Sequence, residues 1–284
     1  MIKLDAATVL LQWATGGLFF LWVTTRRREV GIGYGWLLRG IYLVMAVGAA
    51  VVGVRVDAVP VRDVASVLVA LATAVALGVS IIRRRAGVAL ERERVSARTA
   101  RVAAMTGIDR LSEGPDETVP EFPPMLDLIA PAIGFVGLIA AGTHAGHPEL
   151  LAVVRTLVGA AFLGSVTDAM LLGHWYLVQP GLARGPLLEL VRWVGVIWPL
   201  EIAAMLWPTG MVSVLNGSID DGYAGLLGWF WVACALTTIA LVVVTRAALR
   251  ERAYSAVMAA TGLLYLAILT AFGTDLVARA VLAP

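Results

Sequence analysis

The fifth apolar block of the chain carries ionisable residues at depths where a membrane helix rarely has any. It extends over residues 149–178 and contains Arg155, Asp168 and His174, and the sixth block adds Glu201. A charged side chain at the bilayer centre costs roughly 2.5 to 3.5 kcal/mol on insertion scales, so such residues persist where they are paired, line a cavity or take part in chemistry. These four residues are therefore the first candidates for a function.

His174 is predicted to contact a haem or a quinone. It is the one histidine inside an apolar block, and Met170, Trp175 and Tyr176 lie close to it along the chain. An imidazole can ligate haem iron or hydrogen-bond a quinone carbonyl, and flat aromatic neighbours offer a stacking surface. With no second histidine at membrane depth, a bis-histidine haem is not expected. Trp and Tyr also gather at membrane interfaces, so anchoring of the helix end is the alternative interpretation.

The acidic residues Asp168 and Glu201 have two interpretations. A carboxyl group held away from water keeps its proton more readily, which suits a proton-coupled carrier of a small molecule. The alternative is charge pairing, because the short turn between the fifth and sixth blocks predicts adjacent antiparallel helices. In that register Arg155 faces Glu201 and Asp168 faces Arg192. Such intramembrane pairs would explain the charges without any chemistry.

The remaining motifs give little support for an enzyme. His144 and His147 form an HAGH sequence before the fifth block, and with Glu149 they could hold a metal ion, although loop histidines are more often simply solvated. Cys234 is the single cysteine, which excludes an intrachain disulfide and a multi-cysteine metal site. The chain contains no Walker loop, GxSxG, HExxH or CxxC sequence, so hydrolytic and nucleotide-driven reactions have no visible basis.

The elements that must position these residues are transmembrane helices. The 284 residues are 60% hydrophobic and 15% charged, with a mean hydropathy of +0.85, and the apolar residues come in blocks of about twenty without alternation. This pattern predicts an all-α polytopic integral membrane protein with about eight transmembrane helices in one bundle. The predicted helices cover residues 6–24, 36–54, 62–82, 126–143, 149–178, 187–207, 222–245 and 254–278.

The arrangement of basic residues predicts the topology. Residues 1–83 contain helices one to three, residues 84–125 a charged helix followed by a linker rich in Pro, Gly and acids, and residues 126–284 helices four to eight. Most of the 22 basic residues fall in segments that share one side of the membrane if both termini are outside. The segment 84–125 is then cytoplasmic. The arginine- and alanine-rich composition favours a bacterial cytoplasmic (inner) membrane.

Two classes of function remain open from the sequence. The first is a non-hydrolytic accessory subunit of a larger membrane complex, redox-associated if His174 contacts a haem or a quinone. The second is a proton-coupled small-molecule carrier that uses Asp168 and Glu201. The lipid bilayer and other membrane subunits are the expected partners. The formal charge of +2 is too small to indicate nucleic-acid binding.

Overall fold

The computed structural model describes residues 4–88, 120–179, 182–208, 210–251 and 253–283, with a few isolated positions between 93 and 105. Within these residues the chain forms helices and no strand. The eight long helices are α1 (Ala6–Thr25), α2 (Ile32–Val56), α3 (Pro60–Ile82), α4 (Ile129–Ala145), α5 (Glu149–Val178), α6 (Gly185–Leu206), α7 (Leu226–Ala248) and α8 (Tyr254–Val281). Short helical turns at Arg84–Ala86, Pro124–Leu128 and Met211–Leu215 connect them.

The helices confirm the predicted all-α polytopic membrane bundle. Seven of the eight long helices in the described part of the chain are long and apolar enough to cross a membrane. The remaining long helix, α6, has 22 residues, which is long enough to span a membrane, but it carries Glu189, Arg192 and Glu201. Glu189 pairs with two arginines, and Glu201 is buried among the other helices, away from the lipid-facing surface.

Loop residues that bind backbone amides set where two of the helices begin. The side chain of Asp5 accepts hydrogen bonds from the first amides of α1. In the loop before α7, Asp221 accepts from the N–H groups of Tyr223, Gly225, Leu227 and Gly228. Partial burial by itself would raise the pKa of Asp221, but these four donors together lower it below its ordinary value. The α7 helix therefore begins at residue 226 rather than at the predicted residue 222.

Small residues let α1 and α5 approach closely at the centre of the bundle. These two helices are the most extensively buried of the spans. A Cβ atom added at Gly164 would overlap the backbone of Gly16, and one added at Gly16 would overlap the carbonyl group of Ala160. Backbone contact of this kind is available only to glycine and is a common way for membrane helices to pack.

The outer surface of the bundle is apolar. On α3, for example, Val64, Leu71 and Val75 are each more than half exposed, and α7 and α8 present similar faces. Embedded in a bilayer, these faces contact lipid. Such exposure would be costly in water, whereas hydrocarbon is as apolar as the side chains themselves.

The polar segment after α3 returns to the bundle. The predicted cytoplasmic helix and most of the predicted linker lie outside the described residues, but residues 120–128 pack against the end of the bundle that carries the α1–α2 loop. Glu121 pairs with Arg28 at 2.8 Å, and Asp127 forms a two-pronged ion pair with Arg39 at 2.8 and 2.7 Å. The segment is thus tied to α2 by charge.

Candidate functional site

A set of polar side chains from four helices meets inside the bundle. We call this set the buried charge cluster. Each member is at most 1% exposed, and they are Gln12 of α1, Arg155 of α5, Glu201 of α6, and Asp275 and Arg279 of α8. Residues so far apart in the chain come together only when the helices pack. The cluster is therefore a property of the folded bundle and of no single helix.

Two arginines connect the helices around the cluster. Arg279 donates from Nε to Asp275 Oδ2 at 2.8 Å, one turn away on α8, and from Nη2 to the carbonyl oxygen of Arg155 at 3.2 Å. Arg155 donates from Nε to the carbonyl oxygen of Ala204 at 2.8 Å. These bonds join α8 to α5 and α5 to α6. Charge-assisted hydrogen bonds are stronger than neutral ones, particularly where water is excluded.

The buried carboxyl groups of Glu201 and Asp275 interact with each other inside the cluster. Neither oxygen of Glu201 has a hydrogen-bond donor in the described structure, and neither does Oδ1 of Asp275. Ionised carboxylates can only accept hydrogen bonds, so two of them cannot hydrogen-bond each other. Their negative charges also repel. A single proton between them gives each a partner. The pair therefore has the geometry of a proton-binding site.

Gly159 makes room for the cluster on α5. A Cβ atom at this position would lie 2.6 Å from Asp275 Oδ1 and 2.7 Å from Arg279 Nη2, and it would also collide with the amide group of Gln12. That amide has no hydrogen-bond partner on either its oxygen or its nitrogen. The cluster thus contains further polar atoms that could bind a proton-carrying water or a polar ligand.

Asp168 forms a second buried acidic site nearer the opposite end of α5. Tyr42 donates its hydroxyl proton to Asp168 Oδ1, while Oδ2 has no partner. The Tyr34 hydroxyl donates to the backbone carbonyl of Asp168 at 3.3 Å. Next to it, the Trp13 indole donates to Thr167 Oγ1 at 2.9 Å. This carboxyl group is therefore held between α5 and α2.

The predicted ion pair of Asp168 with Arg192 is wrong. Asp168 is fully buried against α2, whereas Arg192 is exposed on the outer surface of α6. The predicted antiparallel register of α5 and α6 is correct, since Arg155 meets Ala204 near one end. The register determines the depth of each residue in the bundle. It does not determine the direction in which the side chain points around the helix axis. Arg192 points away from α5.

The predicted pair of Arg155 with Glu201 is replaced by the larger cluster. The charges of the two residues do interact, but no ion pair within 4 Å joins them among the described residues. Sequence reasoning missed the α8 residues Asp275 and Arg279. Their spacing of four residues on one helix face was a usable signal, because oppositely charged residues at this spacing are neighbours on a helix.

The residues predicted around His174 range from exposed to buried, and Tyr176 is only 3% exposed. His174 is exposed on α5, and its Nδ1 atom is 3.1 Å from the hydroxyl of Tyr265 on α8. Trp175 donates to the side chain of Gln179, Tyr176 donates to the Ala183 carbonyl, and Met170 is partly exposed. The bond from Tyr176 therefore links α5 to the segment before α6, and the bond from Trp175 stabilises the end of α5. Contact of this group with a haem or a quinone stays a prediction.

The three predicted metal ligands do not come together. Among the residues that the structure describes, no three His, Cys, Asp or Glu side chains are grouped closely enough to hold a metal ion. His144 lies at the end of α4, where its Nδ1–H donates to the Ala140 carbonyl at 2.8 Å. That bond holds the ring against its own helix.

Comparison with known proteins adds no assignment. No family model matches the chain, and neither a curated protein nor a solved structure matches it. The fold defines the class of the protein as a helical bundle with membrane-span-like helices.

Proposed function

We propose that this protein is a proton-coupled carrier of a small molecule, in which the carboxyl pair of Glu201 and Asp275 binds and releases the coupling proton. The observation that carries the proposal is a pair of interacting, fully buried carboxyl groups in which both oxygens of Glu201 and Oδ1 of Asp275 have no donor. Acidic residues inside membrane proteins are commonly proton relays. Asp168, hydrogen-bonded by Tyr42, supplies a second protonatable group on the same helix bundle.

The charges of the cluster support exchange of a single proton. Two arginines balance two carboxylates, so one added proton leaves a net positive charge in the buried interior of the bundle. The added proton also removes the repulsion between Glu201 on α6 and Asp275 on α8. Protonation therefore changes the interaction between two helices. A carrier needs such a link between proton binding and helix packing.

A redox-associated accessory subunit is the second candidate. The contact of His174 with Tyr265 on an exposed face favours it, because a quinone diffusing in the bilayer could reach a hydrogen-bonding imidazole there. An absorbance spectrum and a lipid extract of the purified protein discriminate the two candidates. Haem or quinone that is retained by the native chain and lost in His174→Ala supports the subunit.

Infrared spectroscopy of the reconstituted protein tests the proposed proton site. We expect the native chain to show a carbonyl band of a protonated carboxyl group that titrates with pH. This band disappears in Glu201→Gln and in Asp275→Asn, because an amide keeps the shape but cannot exchange the proton. Glu189→Gln is the matched control, since Glu189 is on the same helix but pairs with surface arginines. A titrating band that keeps its full amplitude in both cluster variants contradicts the proposal, whereas a residual band that is lost in Asp168→Asn belongs to the second protonatable group.

We also propose that the protein lies in a bacterial inner membrane with both termini outside and residues 84–125 in the cytoplasm. The gathering of arginines at the corresponding helix ends supports this orientation. In a Cys234→Ala background, Ser218→Cys should react with an impermeant thiol reagent applied from the periplasm. Ser218 is exposed in the loop before α7. Ser112→Cys, which lies outside the described residues, should be protected, and the reverse labelling would invert the orientation.

A further inference from the structure

A small pocket lies at the end of the bundle where the α1–α2 loop meets the returning segment 120–124. Its volume is about 40 Å³, and Arg28, Gly31, Gly35, Arg39, Glu121 and Phe122 are among the residues that line it. A single water molecule needs roughly 10 to 15 Å³ measured in this way. The pocket therefore has room for a compact polar group, and it is separate from the buried charge cluster.

Arg39 contributes a buried donor with no acceptor to this pocket. The residue is 2% exposed, and its Nε and Nη2 atoms bind Asp127. Its Nη1 atom has no hydrogen-bond partner and lies beside Gly35, another residue of the pocket wall. The ring of Phe122 covers the guanidinium at 4.3 Å. A buried donor without a partner is unusual, because nearly all buried polar groups are hydrogen-bonded.

The start of α2 and the side chain of Arg28 provide further positive potential. The α2 helix begins at Ile32, and its N-cap residue, Gly31, has no side chain to cap the first amides. The free N–H groups at a helix start carry partial positive charge and attract anions. Arg28 lines the same pocket and is about half exposed. Three independent features thus favour an anion at one place.

In the structure, the carboxylate of Glu121 provides a negative charge beside Arg28 at this pocket. Its carboxylate binds Arg28 at 2.8 Å, and Arg83 donates to its backbone carbonyl at 2.9 Å. This contact demonstrates that the pocket mouth accommodates an anionic group. A carboxylate nevertheless leaves Nη1 of Arg39 without an acceptor. A group with more oxygen atoms in a tetrahedral arrangement could reach Arg28, Arg39 and the helix start together.

We propose that the pocket binds a phosphate group, which displaces the Glu121 carboxylate from Arg28. Arg28 and Nη1 of Arg39 donate to it, and the uncapped amides at the start of α2 face it. Two sources have this chemistry: the headgroup of an anionic phospholipid and phosphate from the aqueous phase. The pocket lies at an end of the bundle, beside the arginine run 26–28, where either source has access.

Binding measurements on the delipidated full chain in detergent test the site. Inorganic phosphate is followed by thermal shift, and phosphatidylglycerol is compared with phosphatidylcholine by native mass spectrometry. We expect Arg28→Gln to weaken binding at least tenfold. Glu121→Gln should strengthen it several-fold, because the competing carboxylate is gone. Arg246→Gln is the control, since Arg246 is an exposed arginine at the end of α7, and it should bind as the native chain does.

The results separate the two sources and can overturn the proposal. Binding of phosphatidylglycerol without inorganic phosphate supports a lipid headgroup, and binding of inorganic phosphate supports a soluble source. A native chain that binds neither probe overturns the site. Weaker binding in Glu121→Gln also overturns it, because a purely structural role of the Arg28–Glu121 pair would produce that loss. Circular dichroism of each variant establishes that the helices are intact.

Discussion

Replacement of Gly164 by alanine is expected to destabilise the bundle by about 1 to 3 kcal/mol, the usual cost of forcing extra atoms into a packed interior. The added methyl group would overlap the backbone of Gly16, and backbone atoms cannot rotate aside as a side chain can. The helices α1 and α5 must therefore separate. Thermal unfolding in detergent, followed by circular dichroism, measures the change as a lower midpoint.

A matched glycine makes this test specific. Gly262 lies on the exposed side of α8, and a Cβ atom there would meet no atom within 4 Å. Because alanine is a better helix former than glycine by about 1 kcal/mol, Gly262→Ala should leave the midpoint unchanged or raise it. Equal losses in the two variants would mean that the Gly16–Gly164 contact does not determine the packing of α1 and α5.

Replacement of Asp127 by alanine should have the largest effect on stability, with a loss of about 3 to 5 kcal/mol. The Asp127 carboxylate binds Arg39 through two hydrogen bonds, and the two side chains are 1% and 2% exposed. Removing the acid strands a buried cation that cannot lose its proton. The contact between the 120–128 segment and α2 is lost with it. Chemical or thermal unfolding of the purified variant measures this loss.

Two comparison variants identify the cause. Glu189→Ala removes a carboxylate whose partners Arg26 and Arg27 are 33% and 51% exposed, so we expect a loss below about 1 kcal/mol. The double variant Asp127→Leu with Arg39→Leu should recover much of the stability, since apolar residues often replace a buried ion pair at little cost. If the double variant is no more stable than Asp127→Ala, the stranded charge is not the reason for the loss.

The sequence was sufficient for the architecture because the signals for membrane helices are local. A run of about twenty apolar residues identifies a span regardless of its neighbours. Helix ends were less predictable. The α2 helix begins at Ile32 rather than at residue 36, and α7 begins at Leu226 because the Asp221 side chain binds the amides before and within its first turn. The first residue of a helix such as α7 depends on side-chain hydrogen bonds, which a hydropathy profile does not detect.

The candidate site was only partly predictable. The short turn between α5 and α6 predicted their antiparallel register, which brought Arg155 and Glu201 to similar depths. Packing of α8 against α5 has no comparable signal, because 75 residues, 179–253, separate the two helices in the chain. Asp275 was therefore missed. The direction of each side chain around its helix axis was equally hidden, so Asp168 faces Tyr42 rather than Arg192.

The order of synthesis gives the Arg279 bridge a role in assembly. Because α5 and α6 precede α8 in the chain, Arg155 and Glu201 are synthesised before Asp275 and Arg279. Arg279 then donates to the Arg155 carbonyl, and Asp275 meets Glu201. Insertion of α8 thus completes a polar interior that the earlier helices leave unfinished.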